Sequence, residues 1–128
     1  MKGNTRKVRP KFLNPLKIRL PLTGMVSIFH RVSGVLLVAI FPAWLYALQL
    51  SLTTPGGFLY VAAWMRTPLG VALTVVSFMV LLYHLLAGLR YLLIDAGLPM
   101  NKSRAQWSAG FVVSLTALLV IAVVRRSL

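Results

Sequence analysis

The chain has 128 residues, of which 59% are hydrophobic and only 12% are charged, and its mean hydropathy is +0.84. This composition excludes an ordinary water-soluble domain and predicts an integral membrane protein. The chain has fourteen Lys and Arg residues and one acidic residue, which gives a net charge of +13. Such a charge is typical of nucleic-acid-binding proteins. The long uncharged runs instead favour a membrane protein. The absence of cysteine excludes disulfides, thiolate metal sites and an iron–sulfur cluster held by this chain.

The first 21 residues form a basic segment that precedes a membrane domain at 22–128. We do not expect a cleavable signal peptide, because the segment contains Pro10, Pro15 and Pro21 and leads into a full-length span without a small-residue cleavage site. The sequence therefore predicts a cytoplasmic N-terminal segment that stays attached to the membrane domain.

Three uncharged gaps follow, and each can hold the roughly 20 helical residues that a hydrocarbon layer requires. Three short strands could not close a barrel, and lipid does not tolerate open strand edges. The fold class predicted is therefore an all-α integral membrane protein with three transmembrane helices, at about 27–52, 67–96 and 105–126.

Turn and capping residues predict where these helices begin and end. We expect Pro42 to kink the first helix, and the segment 51–57 to end it with a Pro-Gly turn. Thr67 and Pro68 suit the N-cap and the first turn of the second helix. Gly97 suits a left-handed C-cap at the end of that helix. The stretch 53–66 carries no distinctive motif, and we expect a loop there.

The basic residues are distributed unequally between the two sides of the predicted spans. Eleven fall on the side of the N-terminus and three on the opposite side. Under the positive-inside rule, this places the N-terminus in the cytoplasm and the C-terminus on the opposite side, which is the periplasm if the membrane is a bacterial inner membrane. The eleven are Lys2, Arg6, Lys7, Arg9, Lys11, Lys17, Arg19, Arg31, Arg90, Lys102 and Arg104, and the three are Arg66, Arg125 and Arg126.

A first candidate site lies at the entrance to the first helix, in the run Ser-Ile-Phe-His-Arg-Val-Ser-Gly at 27–34. Helical spacing puts Ser27, His30, Arg31 and Gly34 on one broad face. A hydroxyl, an imidazole and a guanidinium beside apolar residues can orient a carbonyl or carboxylate headgroup. The alternative is an arginine that snorkels to lipid phosphate beside an interfacial histidine.

A second candidate is His84, which lies in an apolar span six residues before Arg90, or about 9 Å along the helix. Neutral imidazole is a common ligand of haem iron, and Ala87 and Gly88 would leave space for a flat macrocycle. The alternative is a buried histidine that hydrogen-bonds between helices. A second axial ligand can come from His30 only if the two helices face each other at one depth, and otherwise from another polypeptide.

Asp95, the single acid, is the third candidate. It can form a surface ion pair with Arg90 or Arg104 at the end of the second helix, or it can deliver protons from the side of the membrane that carries the 27–34 face. The small residues Gly110 and Ser114 are spaced for a close helix contact and predict no chemistry.

The chain resembles the cytochrome b membrane-anchor subunit of bacterial succinate dehydrogenase, respiratory complex II. The resemblance is carried by the Arg9-Pro10 pair, the 27–34 run and the pattern from Tyr83 to Gly97. The resemblance covers nearly the whole chain. It implies a complex of a flavoprotein, an iron–sulfur protein and two small anchors, so that this chain forms half of a heterodimeric anchor bundle in lipid and binds no nucleic acid.

The resemblance also implies roles for individual residues. His84 matches the axial ligand of a haem b that is shared with the second anchor, which supplies the other ligand. Ser27 and Arg31 match positions at the ubiquinone headgroup, and His30 and Arg31 match positions near the haem propionates. Asp95 matches a position near the quinone pocket, which is compatible with a proton path. Electrons from the iron–sulfur subunit would then reduce ubiquinone.

Other functions remain open at this point. The chain can be the anchor of a fumarate reductase that runs the reaction in reverse, or a purely structural anchor without cofactor contacts. A transporter would need an acidic residue within a span, and Asp95 lies beyond Arg90. The chain is not expected to be catalytic by itself.

Overall fold

The computed structural model describes residues 20–127, which form four helices joined by short connections. In chain order they are α1 (Leu22–Thr53), α2 (Pro55–Met65), α3 (Pro68–Asp95) and α4 (Lys102–Ser127). Three of them, α1, α3 and α4, are long and apolar enough to cross a membrane. The described range contains no strand, so the all-α fold with three spans is confirmed. Most of the basic N-terminal segment lies outside the described residues.

Helix α1 begins earlier than predicted, at Leu22 rather than near position 27. Pro21 takes the N-cap position, and the helix continues through Pro42 to Thr53. Its 32 residues span about 48 Å at the helical rise, against a hydrocarbon thickness of about 30 Å. The polar run at 27–34 therefore lies inside the helix and not at its entrance.

Helix α2 corrects the expectation of a loop at 53–66. The Pro-Gly pair does follow the end of α1, but a new helix begins at once, because Thr54 accepts a hydrogen bond from the Gly57 N–H at 2.9 Å and Pro55 occupies the first helical position. With 11 residues, about 16 Å, α2 is too short to cross the membrane.

The start of α3 repeats the start of α2. Thr67 accepts a hydrogen bond from the Gly70 N–H at 3.1 Å, and Pro68 again follows the cap, which confirms the predicted helix start. Both helices thus begin with a Thr-Pro-x-Gly sequence. In both, the glycine lies against the end of the preceding helix. An added Cβ at Gly57 would overlap the carbonyl oxygen of Leu50, and an added Cβ at Gly70 would overlap the carbonyl oxygen of Trp64.

The end of α3 also follows the sequence prediction. Gly97 has a φ of 92°, the left-handed conformation expected of a C-cap glycine, and the helix ends at Asp95. The observed bounds of α3 and α4 differ from the predicted ones by one to three residues.

A small core joins α1, α3 and α4. Val26, Ala87, Ala109 and Val112 form it, and Ala87 and Ala109 are fully buried. Ser114 is exposed, so the close contact expected at Gly110 and Ser114 lies instead on the neighbouring face of α4. At the other end of the bundle, Trp44 Nε1 donates to Ser77 Oγ at 3.0 Å and ties α1 to α3.

Replacing Gly70 by alanine should destabilise the α2–α3 corner, because the added Cβ meets backbone atoms of Trp64 and Met65 that cannot yield. We expect a loss of about 1–3 kcal/mol, the range of overpacking substitutions, measured as lower resistance of the purified protein assembly to SDS denaturation. Gly56→Ala is the matched control, since a Cβ there meets nothing within 4 Å. Equal stability of the two variants would contradict this account.

Candidate functional site

The two histidines of the chain meet between α1 and α3. The rings of His30 and His84 stack with their centroids 4.2 Å apart and their planes 12° from parallel. Both side chains are half-buried. His30 lies eight residues into α1, about 12 Å from its start, so the pair lies well inside the bundle and not at its surface end.

Glycines allow this close approach in a reciprocal way. A Cβ on Gly34 of α1 would lie 3.2 Å from Cε1 of His84, and a Cβ on Gly88 of α3 would lie 3.3 Å from Nε2 of His30. Each antiparallel helix therefore carries a His-x-x-x-Gly sequence whose glycine receives the other helix's imidazole. The space beside Gly88 and Ala87 that we expected for a macrocycle is occupied by His30 and by the core.

Hydrogen bonds select the tautomer of the neutral His84 ring. Its Nδ1 lies 2.9 Å from Ser33 Oγ and 3.2 Å from the carbonyl oxygen of His30. Because a carbonyl oxygen only accepts, Nδ1 must carry the proton. The other ring nitrogen, Nε2, then keeps its lone pair for a metal or a donor group.

Nε2 of His84 has no hydrogen-bond partner within residues 20–127, and it is not among the buried unpaired polar atoms of this range, so it is accessible. Those buried atoms are Nε2 of His30 and the hydroxyl of Tyr91. The rings of His30 and Tyr91 lie 5.3 Å apart at an angle of 55°. The site thus contains one accessible and two buried polar atoms without partners.

The stacking determines what metal chemistry this chain can support alone. Among the described residues no three His, Asp or Glu side chains are grouped to hold a metal ion. Two axial imidazoles bind an iron from opposite sides of a porphyrin, whereas His30 and His84 present their faces to each other. Because a porphyrin brings four nitrogen ligands of its own, a single imidazole nitrogen such as Nε2 of His84 would be enough for this chain to hold a haem.

Ser27 and Arg31 lie apart from this pair. Arg31 is exposed and Ser27 is half-buried, and neither side chain has a hydrogen-bond partner in the described part of the chain. The face predicted for Ser27, His30, Arg31 and Gly34 is thus divided, because His30 and Gly34 contact α3 and Arg31 points away from the bundle.

Arg90 and Asp95 differ from expectation. Arg90 is only 7% exposed and donates from Nε to Ser108 Oγ at 2.9 Å and from Nη2 to the Ala105 carbonyl at 3.2 Å. Arg104 donates to the Pro99 carbonyl. Asp95 is exposed and makes no ion pair with any residue that the structure describes. The expected surface ion pair is therefore wrong, and Arg90 joins α3 to α4.

Sequence reasoning missed Ser33 and Tyr83. Ser33 is 5% exposed and contacts the His84 ring, while the Tyr83 hydroxyl donates to the Val26 carbonyl at 2.9 Å and ties α3 to α1. The sequence does place both residues near the histidines, because Ser33 lies three residues after His30 and Tyr83 directly precedes His84. Their contacts become predictable only when it is known which sides of α1 and α3 pack together.

The fold and the site define a multi-pass helical membrane protein that presents one oriented, accessible histidine nitrogen inside its bundle. Residues 5–124 match the family model described as succinate dehydrogenase/fumarate reductase transmembrane subunit. The chain belongs to this family.

Curated relatives narrow the similarity within the family. The chain is 36% identical over 106 residues to the succinate dehydrogenase cytochrome b556 subunit of Paracoccus denitrificans. The matched residues cover 80% of this chain and 79% of the relative. The chain is 28% identical over 123 residues to the protein of the same name from Coxiella burnetii, covering 90% and 94%. These similarities support a cytochrome b membrane subunit of succinate dehydrogenase.

Tyr83→Phe should weaken the α1–α3 contact without touching either imidazole. The loss of one hydrogen bond between membrane helices is expected to cost about 0.6–1.7 kcal/mol, measured by SDS denaturation of the purified assembly. Tyr60→Phe serves as the control, since Tyr60 is 66% exposed and its hydroxyl has no partner within residues 20–127. If both substitutions have the same effect, the Tyr83 bond contributes nothing specific.

Proposed function

We propose that His84 is one axial ligand of a haem b in the membrane anchor of a succinate dehydrogenase, and that a second small anchor subunit supplies the other. One observation carries this proposal: in an apolar membrane-spanning helix, Nδ1 of His84 is held by Ser33 and the His30 carbonyl while Nε2 is left accessible. Histidines that bind metals are typically oriented in this way. The bound haem would supply a one-electron carrier between the iron–sulfur subunit and the quinone.

The outer surface of the bundle supports a partner within the membrane. Large apolar side chains of all four helices are exposed, among them Val38, Leu52, Leu59 and Phe111. Lipid can cover such a surface, and so can the helices of a second anchor. We propose that this chain is half of a heterodimeric anchor to which an iron–sulfur subunit and a flavoprotein subunit bind from the cytoplasm.

The charge distribution supports the orientation. The start of α1, the end of α3 and the start of α4 lie at one end of the bundle, and Lys102 and Arg104 lie there. Seven further Lys and Arg residues precede Leu22 in the sequence. Arg66, Arg125 and Arg126 belong to the other end. We propose that the first end faces the cytoplasm of a bacterium and that the C-terminus faces the periplasm.

Arg31 and Ser27 are proposed to bind the ubiquinone headgroup. Both lie near the proposed cytoplasmic end of α1, and neither has a partner among the described residues. A guanidinium and a hydroxyl can donate to a quinone carbonyl oxygen and stabilise the negative charge that develops on it during reduction. Asp95, exposed at the same end, is proposed to pass protons to this oxygen.

His30 is proposed to contact a haem propionate. Its Nε2 is buried without a partner in the described part of the chain, and such an atom is costly unless a ligand or water satisfies it. Arg31, the next residue, is exposed, and we propose that its positive charge lies near the haem propionates as well. The relatives are named as succinate dehydrogenase subunits, and on this ground we favour succinate oxidation over fumarate reduction.

The assignment of His84 can be tested against its stacked neighbour. Because His30 lies 4.2 Å away and has an unpaired nitrogen, it can take over a vacated ligand position, so His84→Leu is made in a His30→Leu background. We expect the assembled His30→Leu complex to keep the bis-histidine haem spectrum and the double variant to lose it, measured by reduced-minus-oxidised absorption.

An unchanged bis-histidine spectrum in the assembled double variant would refute ligation by His84. If the unmodified complex, purified with its iron–sulfur, flavoprotein and second anchor subunits, contains no haem, the purely structural anchor is supported instead.

Arg31→Ala should lower succinate:quinone reductase activity about a hundredfold or more, the loss expected for removing a donor to developing negative charge. Succinate oxidation with artificial acceptors that bypass the membrane subunits should be unchanged. Arg66→Ala is the matched control, because Arg66 is an exposed arginine at the opposite end of the bundle. An equal loss of both activities in Arg31→Ala would contradict a role at the quinone.

A further inference from the structure

Ser33 makes the shortest polar contact to the His84 ring, at 2.9 Å from Nδ1. It is 5% exposed, on the side of α1 that packs against α3. Its hydroxyl donates to the His30 carbonyl at 2.8 Å and lies 2.9 Å from Nδ1 of His84. We propose that Ser33 is a positioning residue that fixes the tautomer and direction of His84 and thereby lowers the reduction potential of the haem. This rests on the ligation by His84 proposed above.

The hydrogen-bond directions leave one arrangement. A serine hydroxyl has a single proton, and Ser33 donates that proton to a carbonyl oxygen of its own helix. Its oxygen must therefore accept from the His84 ring, which requires the proton on Nδ1. The second contact of Nδ1, with the His30 carbonyl, requires the same tautomer. Both acceptors belong to α1, so this helix orients the imidazole of α3.

The orientation is further restricted by sterics. The His30 ring is stacked on one face of the His84 ring, and the Nδ1–Cε1 edge of His84 lies close to Gly34, where an added Cβ would lie only 3.2 Å from Cε1. The ring therefore has little freedom to turn, and the Ser33 hydroxyl is the side chain that determines which edge faces α1. The opposite nitrogen, Nε2, is directed away from these contacts.

A hydrogen bond from Nδ1–H makes the imidazole a more basic ligand. A more basic ligand favours the oxidised, more positively charged iron over the reduced iron. Because the site lies between two apolar helices long enough to span a membrane, the local dielectric is low and the effect is poorly screened. Removing the hydroxyl should consequently make the haem easier to reduce, while the His30 carbonyl still holds the ring.

The test is redox titration of the complete complex carrying Ser33→Ala, followed by haem absorption. We expect the bis-histidine spectrum to persist and the ratio of reduced to oxidised haem at a fixed ambient potential to rise about threefold, equivalent to about 28 mV at 59 mV per tenfold. Ser33→Thr retains the hydroxyl and has room for its methyl group, because Ser33 borders an apolar groove of about 600 Å³. It should keep the original potential.

Thr116→Val is the matched control. Thr116 is 7% exposed, borders the same groove and donates its hydroxyl to the Val112 carbonyl of its own helix, not to a histidine. Its substitution should leave the potential unchanged. An unchanged or lower potential in Ser33→Ala, with the spectrum intact, overturns the role of Ser33 and leaves ligation by His84 standing.

If the Ser33→Ala complex assembles without haem, the haem content and potential of the Ser33→Thr complex test the proposal instead. Recovery of haem at the original potential supports positioning through the hydroxyl, and the same loss of haem overturns it. Failure of the His84 assignment is separate, because it shows as an intact bis-histidine spectrum in the double histidine variant.

Discussion

The close approach of α1 and α3 at two reciprocal His-x-x-x-Gly sequences determines the geometry of the whole site. Each glycine lies where the opposite helix inserts an imidazole, and a side chain at either position would press against that ring. The stacked pair, the hydrogen bonds from Nδ1 of His84 and the accessible Nε2 all follow from this contact. Trp44 and Tyr83 support it from either side with hydrogen bonds between the same two helices.

The apolar setting explains why so few polar groups can define a site. Within residues 20–127 the buried side-chain polar atoms without partners are on His30 and Tyr91, whose rings are neighbours, and the His30 ring stacks on His84. Arg90, by contrast, has partners for its guanidinium group. Its guanidinium carbon lies 5.2 Å from the centre of the Tyr91 ring, and its nitrogens donate hydrogen bonds to Ser108 and Ala105 of α4. Unpaired atoms are costly in such surroundings, and their proximity to each other supports the ligand site proposed at His84.

The sequence predicted the spans, the Thr67 cap and the Gly97 turn, because these depend on local chemistry and on the exclusion of charge from hydrocarbon. It also singled out His30 and His84. It did not predict α2, because a Pro-Gly pair is compatible both with a turn that ends one helix and with the first turn of the next helix. Nor could it assign Ser33 or Arg90, because their contacts depend on how the helices are rotated about their axes, which periodicity in a uniformly apolar span does not determine.

The two Thr-Pro-x-Gly corners also bear on how the chain can vary in length. Between α1 and α2 a single residue, Thr54, is not helical, and that residue is itself the cap of the next helix. Between α2 and α3 the glycine fits against the preceding helix, so an insertion at either corner would displace a whole helix. The connection at 96–101 has no such constraint and is mostly exposed. Length differences among related chains should therefore accumulate there and not around α2.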